Sequence, residues 1–161
     1  MTRTSRSISR AKRASVRAAP APFAPERSLA AALLEPTRLY VKPLLATLKA
    51  ADAVLALAHV TGGGFPDNLP RVLPEALAVE LDLSAFAPPP VFAWLAATGG
   101  VGEAEMLRTF NCGFGMVAFA AAEAADAALA ALAANGLAPR PIGKLIPREG
   151  APVVMRGRLA L

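Results

Sequence analysis

Strands alternating with helices predict an α/β (α+β) sandwich for residues 27–161, with a mixed sheet of four to five strands covered by helices. Three observations carry that expectation. Val79, Leu81 and Leu83 alternate with Glu80 and Asp82, the period of a half-exposed strand. Glu103, Met106, Leu107 and Phe110 recur at helical spacing. Glycine and proline clusters at 62–64, 88–90, 99–100 and 147–150 punctuate the apolar segments, as turns do.

Ser28 is placed to cap a short helix through Leu33, and Pro43 suits the first turn of a helix carrying Leu44, Leu45 and Leu48 on one face. Ala53–Val60 reads as a buried strand running into Gly62-Gly63-Gly64, after which Asn68-Leu69-Pro70 can cap and open a further short helix. Ala78–Leu83 is the next strand. Pro88-Pro89-Pro90 leads into a helix with Val91, Trp94 and Leu95 on one face, closed by Gly99-Gly100. Cys112–Ala120 predicts a central strand, its Gly113 and Gly115 marking close approach of another backbone or a ligand. Glu123–Ala134 is an alanine-rich helix with Leu129 and Leu132 inward, stopped by Asn135-Gly136. Arg140–Ile146 and Val153–Leu159 read as two final strands.

The 161 residues suffice for one ordinary domain, and at 55% hydrophobic and 18% charged the chain is apolar, much of it alanine. The longest apolar runs, Ala127–Ala134 and Met116–Ala122, are far short of the ~18 residues that span a bilayer, so no membrane segment is expected. The net charge of +5 is concentrated in one place. Residues 1–18 hold Arg3, Arg6, Arg10, Lys12, Arg13 and Arg17 and no acid, which leaves the remainder nearly neutral. Residues 1–26 are therefore expected to be a disordered basic tail followed by the proline-rich linker Ala19–Pro25. Such a tail fits nucleic-acid or acidic-lipid binding, an organelle transit peptide, or a non-native start from a shifted reading frame. The last is preferred here. The lone Cys112 permits no internal disulfide.

The strand, glycine turn and helix start around Gly62-Gly63-Gly64 could cradle an anion, although a tight structural turn fits as well. There is no Lys-Ser/Thr of a phosphate-binding loop and no G-x-G-x-x-G, so neither nucleotide motif is supported. His59 is the sole histidine and thus the sole imidazole base. With no carboxylate at close spacing, it reads better as a strand-end residue held by neighbouring backbone. Asp67 reads as an exposed helix-start acid. Cys112 reads as a buried apolar residue, since a reactive thiol needs an electropositive setting. Asn111 either closes a helix or faces a ligand, and the sequence leaves both open.

Several motifs in order carry a resemblance to a known family. They are Leu33-Leu34-Glu35-Pro36-Thr37-Arg38-Leu39-Tyr40-Val41-Lys42-Pro43, His59-Val60-Thr61-Gly62-Gly63-Gly64 with Asn68-Leu69-Pro70-Arg71-Val72-Leu73-Pro74, Pro90-Val91-Phe92-Ala93-Trp94-Leu95, Glu105 through Met116, and Ile142-Gly143. From about Ala19 onward the chain resembles the C-terminal half of aminoimidazole ribonucleotide (AIR) synthetase, the phosphoribosylformylglycinamidine cyclo-ligases. The wording of 59–64 and 110–115 argues against the related amidotransferases and selenophosphate synthetases. Phe65 and Phe114 stand where smaller aliphatics are usual, and Lys144 where an acid is common.

The resemblance implies ATP-dependent closure of an imidazole ring in purine synthesis, in the cytoplasm, by a homodimer whose site lies between two domains. It implies ATP and magnesium bound mainly by an N-terminal domain with no counterpart in this sequence, so that domain, or a separate chain supplying it, is the expected partner. A truncated, split or mis-started gene is the expected source, and the chain is expected to be inactive alone. Thr61, Gly62, Gly63, Gly64, Asn68 and Asn111 become the candidates for a small-molecule substrate cleft, with no catalytic residue assigned. The alternative, a noncatalytic interaction module with a nucleic-acid-binding tail, rests on the basic residues alone.

Overall fold

The computed structural model describes residues 17–50 and 52–161; the basic tail up to residue 16 lies outside the described residues. The chain divides into two compact units at Thr37/Arg38. In the first, β1 (Pro20–Ala21) and β2 (Ala24–Ser28) pair antiparallel about the turn Pro22-Phe23, and α1 (Leu29–Leu33) follows. Ser28 caps α1 as expected, its hydroxyl accepting from the Ala31 amide at 3.2 Å. The linker expectation is corrected for residues 20–25, which form a ribbon. A two-stranded ribbon leaves one edge of each strand unpaired, where a proline without an N–H is tolerated.

The second unit is α+β. Its strands are β3 (Val54–His59), β4 (Leu77–Asp82), β5 (Met116–Ala120), β6 (Gly143–Pro147) and β7 (Val153–Arg156). They do not form the one mixed sheet that the sequence predicts. β3 and β5 pair antiparallel as a two-stranded sheet, and β4 is the centre of a second sheet, antiparallel to β6 and parallel to β7. Val79 and Leu81 of β4 meet Ala58 of β3 and Val117 and Phe119 of β5 in a core completed by Phe65, Leu69, Met106 and Leu107. The alternation that marks β4 thus separates this core from Glu80 and Asp82 on the outer face.

On that face Glu80 accepts from Arg156 Nε at 3.2 Å and lies 3.4 Å from Lys144 Nζ. The Arg156 bond first, and Lys144 second, hold its carboxyl below the usual range. Lys144, the family departure that reverses a charge, is therefore matched by the acid across the ladder.

The helices of this unit are α2 (Val41–Ala50), α3 (Gly64–Asn68), α4 (Pro90–Gly99), α5 (Glu103–Thr109) and α6 (Ala125–Ala134). Gly100 and Gly136 are left-handed beyond α4 and α6, as the stop signals predict. Two faces differ from expectation. In α4 it is Phe92, Leu95 and Ala96 that pack on the core. In α2 the buried residues are Leu44 and Thr47, whereas Leu45 and Leu48 are exposed.

A polar latch holds α2 in that orientation. The Thr47 hydroxyl donates to the Pro43 carbonyl at 2.9 Å and accepts from Asn135 Nδ2 at 3.2 Å, and the same Asn135 amide donates to the Ala131 carbonyl at 2.9 Å. With Thr47 fully buried, these bonds fix α2 against the end of α6. Thr47→Val keeps the shape and removes the hydroxyl, so urea unfolding should show a loss of about 1 kcal/mol; an unchanged midpoint would mean that the latch contributes nothing.

Candidate functional site

β3 ends at His59 and β5 begins at Met116, its register partner, so the turns after one and before the other leave the sheet at the same end. The Val60 amide donates to the Gly115 carbonyl at 2.9 Å and joins them. Tyr40, from the segment before α2, lies against Gly115: a Cβ there would stand 2.5 Å from its hydroxyl oxygen. The His59 ring meets Tyr40 edge-on, with centroids 6.4 Å apart. Three motifs far apart in sequence, around Tyr40, His59–Gly64 and Asn111–Gly115, thus converge. Sequence reasoning missed Tyr40; the glycine that admits its ring was the available signal.

The glycine turn divides into parts with different duties. Gly64 is buried with φ +58°, and a Cβ on it would collide with the Leu107 carbonyl oxygen near the end of α5. Only glycine allows the two backbones to approach this closely. Gly63, with φ +92°, has Asp67 folded over it, the carboxylate occupying the space a side chain would take. Gly62 is exposed with open space around it, and Thr61 is exposed beside it.

Asn68 does not cap the next turn, contrary to the sequence reading. It is buried, and its Nδ2 turns back to donate to the carbonyls of Gly64 at 2.8 Å, Gly62 at 3.2 Å and Thr61 at 3.4 Å. The following 3-10 turn, Leu69–Val72, has no side-chain cap. Asn68 is thus the clasp of the glycine turn. Asp67 is the exposed first-turn acid that was expected.

The second turn is equally constrained. The expected strand from Cys112 begins only at Met116, because Cys112 (φ +47°) and Gly113 (φ +95°) are both left-handed and break extended backbone. Asn111 Oδ1 accepts from the Gly113 amide at 3.0 Å, closing a local turn. A Cβ on Gly113 would lie 2.5 Å from Pro89 Cδ. Phe114 then stacks 4.4 Å from Phe86 and 6.3 Å from Phe65, and the Arg140 guanidinium sits 5.8 Å over its ring. Arg140 also escaped sequence reasoning, since nothing in the spacing places residue 140 over residue 114.

Cys112 is fully buried, its thiol directed at the Met106 carbonyl at 3.7 Å, and burial pushes its pKa up to about 11. It is a packing residue, as expected. Nor do the residues of the Gly62–Gly64 turn fit a magnesium triphosphate. Asp67 is a single acid, and the described residues contain no group of three His, Cys, Asp or Glu that would hold a metal ion. A carboxylate over Gly63 also repels a phosphate approaching there.

The second unit is thus an α+β domain that presents two glycine-bearing turns from one end of a strand pair. The model of the family described as AIR synthase related protein, C-terminal domain, matches residues 7–155, and the chain belongs to that family. The family comprises ATP-using enzymes. The match begins upstream of Ala19, where the likeness in motifs starts.

Three outcomes follow from this geometry. Gly64→Ala should cost about 3 kcal/mol or more, since neither backbone can yield, while Gly62→Ala should change stability by less than about 0.5 kcal/mol; equal melting temperatures for the two variants would contradict the division. The native Cys112 thiol should not react with Ellman's reagent at pH 8, where reaction at a free-thiol rate would show that it is accessible. Its folded pKa is raised, so the contribution to stability is complete below the ordinary value near 9 and is lost as pH rises through about 11.

Proposed function

We propose that the chain forms one wall of the site at which formylglycinamidine ribonucleotide closes to aminoimidazole ribonucleotide, an ATP-dependent cyclo-ligase step of purine synthesis. The observation that carries this reading is the convergence of the Tyr40, His59–Gly64 and Asn111–Gly115 motifs at the end of β3 and β5. Family membership supports it.

In this reading Thr61 and Gly62 face the substrate. Gly63, Gly64, Asn68 and Asn111 hold the turns in shape. Backbone donors fixed before the reaction stabilise developing negative charge without reorganising, which is what a rigid glycine turn offers. ATP and magnesium are held by a second domain, on this polypeptide or another, and no step through them is assigned to the residues described. The enzyme works as a homodimer in the cytoplasm.

An exposed aliphatic surface supports the need for that second domain. Leu39 is 80%, Val41 68% and Leu55 71% exposed, and Leu45 and Leu48 continue the Val41 stripe along α2. Isolated apolar residues on a surface are ordinary; a stripe at i, i+4 and i+7 fits a covered face. No helix among the described residues is long and apolar enough to cross a membrane.

The purified chain should give no ATP-dependent ring closure alone and should gain it when a family nucleotide-binding domain is supplied in trans. Product and phosphate release measure both. Turnover by the chain alone would overturn the division of labour, and failure to rescue would overturn the cyclo-ligase reading.

A further inference from the structure

Arg140 is exposed, and among the described residues its guanidinium has no carboxylate partner: the ion pairs there join Arg27 to Glu35 and Lys144 and Arg156 to Glu80. It is nevertheless held in place from two sides. The backbone runs Pro139-Arg140-Pro141, in which both neighbours have φ locked and the residue before a proline is pushed to extended geometry. The next residue, Ile142, is anchored to β4, its carbonyl accepting from the Asp82 amide at 2.9 Å.

The side chain lies over Phe114, whose own turn is set by left-handed Cys112 and Gly113 and whose ring is wedged against Phe86. Phe65, directly after Gly64, touches the same aromatic group. A cation that is unpaired and restrained before any ligand arrives loses little entropy on binding an anion.

We propose that Arg140, positioned by Phe114, binds a terminal phosphate group beside the second turn. The inference deepens the ring-closure reading and rests on it only for the identity of the ligand. The guanidinium fork suits the oxygens of a phosphate dianion, and the aromatic face beneath it keeps the fork directed outward. Asp67 over Gly63 disfavours phosphate at the glycine turn, so the dianion belongs at Arg140 while the uncharged part of the ligand lies along Thr61 and Gly62. Two sources share this chemistry, the 5′-phosphate of a sugar phosphate and the terminal phosphate of a nucleotide.

Calorimetric titration of the full chain with ribose 5-phosphate, with ATP and with inorganic phosphate tests it. The parent chain should bind ribose 5-phosphate or ATP saturably. Arg140→Gln should weaken that binding by about tenfold, and Arg140→Lys less, because the charge is kept and the fork lost. Phe114→Leu, with an unchanged circular dichroism spectrum, should weaken it severalfold by releasing the arginine. Arg148→Gln, whose Nε donates only to the Gly150 carbonyl, should leave it unchanged. Tighter binding of ribose 5-phosphate assigns the sugar phosphate, tighter binding of ATP the nucleotide, and either upholds the contact. Absence of saturable binding, Arg140→Gln within twofold of the parent, or an equal loss in Arg148→Gln would overturn it. The two readings fail separately: Arg140-dependent binding without rescued ring closure removes the cyclo-ligase reading and leaves this site standing.

Discussion

The backbone contact between Gly64 and the Leu107 carbonyl is the constraint from which the end bearing both turns is built. Because α3 can lie so close to α5, Phe65 and Leu69 reach the core beside Met106 and Leu107. Phe65 then supports Phe114 through the aromatic group, and Phe114 supports Arg140. Asn68 ties the carbonyls of the glycine turn from inside, so the exposed Thr61 and Gly62 rest on a framework with its polar groups already matched. A single methyl group at residue 64 would disturb every part of this chain of support.

Much of the fold was legible from local pattern. Every strand of the second unit lies within or next to its predicted segment, because alternation and punctuation by glycine and proline are local properties. What was not legible depended on partners. Whether five strands form one sheet or two is decided by hydrogen bonding between segments that no periodicity records. The face of α2 was misread because the sequence ranks Leu45 and Leu48 above Thr47, whereas Thr47 is buried with its hydroxyl satisfied by a bond from Asn135, a partner 88 residues away. The ribbon at 20–28 was misread because prolines signal linkers, and a two-stranded ribbon is one of the few sheets that accepts them.

The site was legible in its glycines and illegible in its side chains. Gly62 to Gly64 and Gly113 to Gly115 announce close approach, but the sequence does not say by what. Leu107, Asp67, Pro89 and Tyr40 fill four of those spaces and leave Gly62 open. Asn68 and Asn111 carried the right chemistry for a ligand, yet both amides are engaged by their own turns. Tyr40 and Arg140 become visible only after folding, since each reports a contact across more than twenty residues.

The division into two sheets sets how the second unit can deform. The β3–β5 ladder and the β6–β4–β7 ladder share no strand, so the core between them is held by side-chain packing rather than by a continuous run of directional bonds. Dispersion and apolar burial resist separation strongly but resist small sliding weakly, as in shear between packed layers. Sliding of one ladder over the other would therefore break none of the hydrogen bonds within either ladder.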